Sequence, residues 1–386
     1  MVLMDNIYLD HASTNSVDPR VYEFAKKYIN AGNPSSLYEY GQEAKQLITD
    51  SRVNVAELIN AESEKQIIFT ASATEANNLG IRGTSYRNQK DGKEVISSAI
   101  EHISVINPLK ELAKNGWNYQ TVPVDKYGTV DLDSLKEMLT TNTVVTSIIY
   151  ANNEIGTIQP INEISEIVHN YGKYLHVDAC AAAGKIPIDV QKEGIDLLTL
   201  SSNALGGPMG AGALYIRPGV KVQSIMPGGG QEKGLRSGTE NVFAIAGMGK
   251  AAEIAKKEMN KESARLKKIR DKLIFEITKI DESYLTGHPT KRLPNHASFR
   301  FSYIEGESIL LNMDMYGIQI ATGSACSSKT LEASHVLLAI GLKHEEAHGS
   351  MVITLGRENN IEQVIKIVKA VKETVDRLRK LSPLIK

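Results

Sequence analysis

Cysteine is nearly absent: Cys180 and Cys326 are the only two among 386 residues. So few thiols exclude a disulfide framework and an all-protein metal site, and each must be weighed as a single group. An excess of either charge is missing too. There are 44 basic residues against 45 acidic ones, a net charge of −1, so no global field gathers nucleic acid or an anionic membrane. No uncharged run reaches the ~18 residues that a membrane-spanning helix needs. Residues 1–10 carry Asp5 and Asp10 and have no basic stretch leading into an apolar one. That argues against a secretory signal, and a cytoplasmic protein is expected.

What is present is apolar sequence, 42% of the chain, enough to bury a large core, at a length that suits two domains. Short β-branched runs at 66–70, 94–97, 119–124, 144–150, 174–177, 197–200 and 212–216 alternate with helical patterns such as 132–139 and 161–169. This alternation predicts an α/β fold whose large domain, residues 16–250, holds a mainly parallel seven-stranded sheet with helices on both faces. A long charged helical region over 244–280 then leads into strands at 296–301, 318–321 and 351–355 and a last helix from 361 to about 381. These read as a smaller α+β domain made of residues 251–386 together with residues 1–15.

Several strand ends carry site-like residues. Strand 66–70 runs into Ala71-Ser72-Ala73-Thr74-Glu75, a small-residue turn where Thr74 and free backbone N–H groups suit an anion; taken singly, such a turn is more often an ordinary capped helix. Glu101-His102 follows strand 94–97 and opens the next helix. Its imidazole suits stacking on an aromatic ring, although a lone histidine is more often structural. Asn152-Asn153 ends strand 144–150, and Asp178 ends strand 174–177. In open parallel sheets ligands sit at the carboxyl ends of strands, so these ends point to one crevice. The loop Gly228-Gly229-Gly230 to Arg236-Ser237-Gly238-Thr239 adds glycines, an arginine and hydroxyls suited to phosphate. Cys326 lies in Gly323-Ser324-Ala325-Cys326-Ser327-Ser328-Lys329, polar and without apolar periodicity, which suits an exposed, reactive thiol. Cys180, among alanines, reads as a small buried residue. Arg357, after strand 351–355 and Gly356, suits bidentate grip of a carboxylate.

In this order and spacing, these motifs resemble those of the NifS/IscS-type cysteine desulfurases, pyridoxal-phosphate enzymes of fold type I. The resemblance runs from Tyr8-Leu9-Asp10 and Gly32-Asn33-Pro34-Ser35-Ser36 through His176-Val177-Asp178 to Leu355-Gly356-Arg357. It implies that Ala73, Thr74, Ser201, Ser202 and Asn203 hold the cofactor with Thr239 of a second subunit. It also implies that His102 stacks on the ring, Asn153 touches the ring hydroxyl region and Asp178 pairs with the pyridinium. Arg357 would bind the carboxylate of L-cysteine, and Cys326 would take its sulfur as a persulfide. The implied assembly is a homodimer, or a heterotetramer with an iron–sulfur scaffold protein of the IscU type.

Three positions depart from that pattern. The family's His-Lys pair is Asn203-Ala204, the glutamine three residues beyond the aspartate is Ala181, and the tyrosine after the lysine turn is Gly206; all three are expected to face the cofactor. The missing lysine would hold the aldehyde as a Schiff base and move the substrate proton. Its loss, shared with some archaeal-type members of the family, leads to the expectation of non-covalent pyridoxal phosphate and low or absent turnover. Lys185, Lys233 and Lys329 can be nominated as stand-ins, but each already has a place in the family pattern. Two readings follow. One keeps sulfur delivery through Cys326; the other is a non-catalytic scaffold partner that uses external sulfide, with Cys326 as thiolate ligand of a shared [2Fe–2S] cluster. A different fold-type I transferase, such as an aminotransferase, also needs the lysine and has no use for the Cys326 loop.

Overall fold

The computed structural model describes residues 6–323 and 333–382. Strand β1 is Ile7–Tyr8, and the large sheet is built from β2 (Ile67–Thr70), β3 (Glu94–Ser98), β4 (Asn118–Val122), β5 (Thr143–Ile149), β6 (Tyr174–Asp178), β7 (Leu197–Ser201) and β8 (Gly212–Ile216). Its order is β2-β8-β7-β6-β5-β3-β4. Only β8 is antiparallel to its neighbours, so β2 runs with the other strands. Every residue of β5, Thr-Val-Val-Thr-Ser-Ile-Ile, is buried, as expected of a strand covered by helices on both faces. β4 stops at Val122, short of the expected 124, because Pro123 has no N–H to give the ladder.

Beyond this sheet lie β9 (Ser283–Leu285), β10 (His296–Phe301), β11 (Ile318–Gln319) and β12 (Ser350–Thr354). β10 is the antiparallel centre of a three-stranded sheet between β9 and β12, while β1 pairs in parallel with β11. The N-terminal strand is further tied here by the Thr354 N–H, which donates to the Leu9 carbonyl at 2.7 Å. One helix, Val242–Ile277, serves both cores. Its first half packs Ala244, Met248 and Ala252 under the large sheet, and its second half packs Leu266, Ile269 and Leu273 with Phe299 and Phe301. Gly249 lets it approach the helix Glu39–Leu58, since a Cβ there would fall 2.5 Å from Ser51. No helix among the described residues is long and apolar enough to cross a membrane.

Candidate functional site

Because β2, β3, β5, β6 and β7 run the same way, their carboxyl ends share one sheet edge. At the end of β2, Ser72 caps the helix Ala73–Asn78 through its Oγ, which accepts from the Glu75 N–H. Gly212 of β8 presses on this turn, and a Cβ there would lie 2.5 Å from the Ser72 backbone. One helical turn on, Asn77 Nδ2 donates to Asp178 Oδ2 at 2.8 Å and to Ser104 Oγ at 2.9 Å. The Cys180 N–H donates to the other Asp178 oxygen at 3.0 Å. His102 caps the helix Ile103–Lys114, and its Nδ1 lies 2.7 Å from Ser104 Oγ. A continuous hydrogen-bonded chain, His102–Ser104–Asn77–Asp178, therefore joins three strand ends.

Of these groups His102, Ser104 and Asp178 border a chamber of about 150 Å³ whose wall also includes Ala73, Thr74, Ser201 and Asn203. Asn153, Ala181 and Ala204 line it as well. The donor set fits pyridoxal phosphate. An N–H-rich turn with a hydroxyl suits the phosphate, an imidazole suits the ring face, a carboxylate held by two donors suits the ring nitrogen, and alanines leave space.

Some expected contributors lie elsewhere. Ser202 is fully buried and is not part of the chamber wall, its Oγ unpartnered and so close to Gly207 that a Cβ there would sit 2.4 Å away. Thr239 is exposed and absent from its own chain's chamber wall. Gly206 has φ 82°, a left-handed turn that a glycine takes without strain, and it lines a second, outer chamber of about 270 Å³ rather than the inner one. Arg357 also faces the outer chamber, because Glu258 (2.5 Å) and Asp18 (3.5 Å) are its carboxylate partners. Cys180 is half-buried and lines the inner chamber, not the core, since it directly follows the crevice at the end of β6. Burial, with Asp178 beside it, pushes its thiol pKa up. Cys326 lies outside the described residues.

Other wall residues were not singled out from sequence. Ser104 sits inside a helix whose apolar periodicity hides it. His11, Asn295, His296 and Thr354 arrive from β1, β10 and β12 and their flanks, where no local motif marks them. His296 Nε2 contacts the Asn153 carbonyl at 2.9 Å, so the second sheet holds the β5 end in place.

Beneath the chamber, Glu101 is fully buried; one carboxyl oxygen accepts from Ser98 Oγ and the Ile149 N–H, and the other has no partner. Burial, helped by nearby Asp178, raises its pKa to about 8. In the unfolded chain the group ionises near its ordinary value, so the folded state binds the extra proton between the two pKa values. Its stabilising contribution is full below pH ~4.5 and is lost as pH rises toward 8, at up to ~1.4 kcal/mol per pH unit. Thermal melts should show the native protein losing stability relative to Glu101→Gln between pH 5 and 8. Parallel curves would show that Glu101 does not titrate in that window.

The aminotransferase class-V family pattern matches residues 7–367. Cysteine desulfurase IscS 1 of Archaeoglobus fulgidus is 55% identical over 379 residues, 98% of this chain and 99% of that protein. Cysteine desulfurase IscS of Methanosarcina thermophila is 46% identical over 380 residues, 98% of this chain and 94% of that protein. Among solved structures, a NifS-like protein superposes with a TM-score of 0.90 at 34% identity, covering 97% of this chain and all of that one.

Proposed function

Since the chain belongs to the class-V aminotransferase family and, within it, to the NifS/IscS-type cysteine desulfurases, we propose that it draws sulfur from L-cysteine with pyridoxal phosphate and passes it through Cys326 to iron–sulfur cluster assembly. The observation that carries this reading is the His102–Ser104–Asn77–Asp178 chain at the chamber floor. When bound, the cofactor supplies an electron sink for the bonds around the substrate's Cα. Ala73, Thr74, Ser201 and Asn203 would hold its phosphate end, with Thr239 from the second copy of a homodimer. His102 would stack on the ring, Asn153 would meet the ring hydroxyl, and Asp178 would pair with the ring nitrogen. These are non-covalent contacts, and position 204 brings no amine.

Arg357 takes the substrate carboxylate by exchanging its Glu258 partner for it. Cys326 thiolate would attack the substrate sulfur: an S–S bond forms, the substrate C–S bond breaks, and its electron pair takes up a proton at Cβ so that the carbon fragment leaves as alanine, with a persulfide left on Cys326 for a scaffold of the IscU type. The second reading, favoured by Ala204, keeps the scaffold docking and makes Cys326 a ligand to a [2Fe–2S] cluster built from external sulfide.

Sulfide release from L-cysteine with added pyridoxal phosphate separates the two. Release that Asp178→Ala abolishes supports the first reading, and none with cofactor bound supports the second. Asn77→Ala removes a hydrogen bond to a carboxylate, of the kind worth about 1.5–3 kcal/mol, and is expected to weaken cofactor binding about 10- to 100-fold in equilibrium dialysis. Unchanged affinity would remove Asp178 from the binding site.

A further inference from the structure

The inner and outer chambers share a wall made in part by Lys185. Among the described residues it is the only lysine lining the inner chamber. Its Nζ donates to the carbonyl of Ala204 at 3.2 Å, the backbone of the residue that has no amine of its own. The same carbonyl is steadied from the other side by Asn15 Nδ2 at 2.9 Å.

The main chain of Lys185 is well fixed. It follows the left-handed Gly184 (φ 70°), its N–H donates to the Ala182 carbonyl at 3.0 Å, and its own carbonyl accepts from Ser263 Oγ. The four-carbon stem beyond Cα, by contrast, is flexible, so a fixed base carries a mobile amine. Lys185 forms no ion pair among the described residues; Arg357 faces it from one side and Glu262 opposes that charge.

We propose that Lys185 supplies the amine that position 204 lacks, condensing with the aldehyde of pyridoxal phosphate in the inner chamber. This inference rests on the cofactor reading above and departs from the expectation, drawn from Ala204, of a cofactor held only by non-covalent contacts. In the step, the Nζ lone pair attacks the aldehyde carbon and a C=N bond replaces C=O. The oxygen leaves as water with the two amine hydrogens, and nothing is oxidised or reduced. The chemistry requires the uncharged amine. Burial, then the Arg357 charge, lowers the Lys185 pKa to about 8, so the nucleophilic form is abundant in mildly alkaline solution. The other nominated lysines fit less well. Lys233 is exposed and donates to the Lys65 carbonyl, and Lys329 lies outside the described residues.

The test uses the full chain incubated with pyridoxal phosphate at pH 8, reduced with borohydride, digested and mapped by mass spectrometry, with cofactor binding measured in parallel by equilibrium dialysis. The expected result is a pyridoxyl mark on Lys185 about tenfold or more above that on any other lysine, given how little of an ordinary lysine is uncharged at that pH. Lys185→Met and Lys185→Arg should both lose the mark while still binding the cofactor, and in Ala204→Lys the mark should move to position 204. Binding without a mark at Lys185, or marks spread evenly over exposed lysines, overturns this inference and leaves the cofactor reading standing. Absence of binding overturns both.

Discussion

Ala204→Lys is expected to raise sulfide release from L-cysteine by about 10²-fold, the lower end of the 10²–10⁴ that a positioned acid–base group contributes. The lower end applies because Lys185 already brings an amine to the same backbone carbonyl. Space is available: Ala204 lines the chamber beside Ala181, so a longer side chain replaces empty volume and not a packed neighbour. The double variant Lys185→Met/Ala204→Lys should keep most of the gain, since one well-placed amine suffices. A single variant no faster than its parent would mean that the pocket has diverged beyond the three positions at 181, 204 and 206.

Cys326→Ser is expected to abolish sulfur transfer to a scaffold, and equally any cluster ligation through this chain. A serine hydroxyl is neither a thiolate nucleophile nor a soft ligand for iron. Far-UV circular dichroism, oligomeric state and pyridoxal-phosphate affinity should match the parent, because the substitution exchanges one atom, sulfur for oxygen, and leaves the cofactor-binding groups at positions 73, 74, 102 and 178 in place. Cysteine desulfuration followed by scaffold-bound cluster absorbance measures it. Unchanged cluster yield would show the thiol to be idle and would defeat both readings of Cys326 at once.

The strand ends were legible because each combines a local signal with a local cause. Asp178 closes a β-branched run, and Ala73-Thr74 opens a helix just past another. Neighbours along one strand or one turn are close in space for covalent reasons, so motif and geometry coincide there. Arg357 shows the limit of such reading. Its place after β12 suggested a carboxylate clamp, but which carboxylate it meets depends on Glu258 of the long helix and on Asp18. Ser202 failed for a related reason: along the chain it is equivalent to Ser201, and only the turn that brings Gly207 against it sends its hydroxyl inward.

From its residues alone the chain determines its family, its alternating sheet and the missing amine at position 204, because periodicity, spacing and residue identity are properties of neighbours in sequence. Tertiary structure alone decides which distant groups complete the chamber. Lys185 stands 19 residues from Ala204, and His11, just after β1, and His296, at the start of β10, reach the same wall from far apart in the chain. Contacts across such separations are set by how strands and helices pack, and no local pattern encodes them.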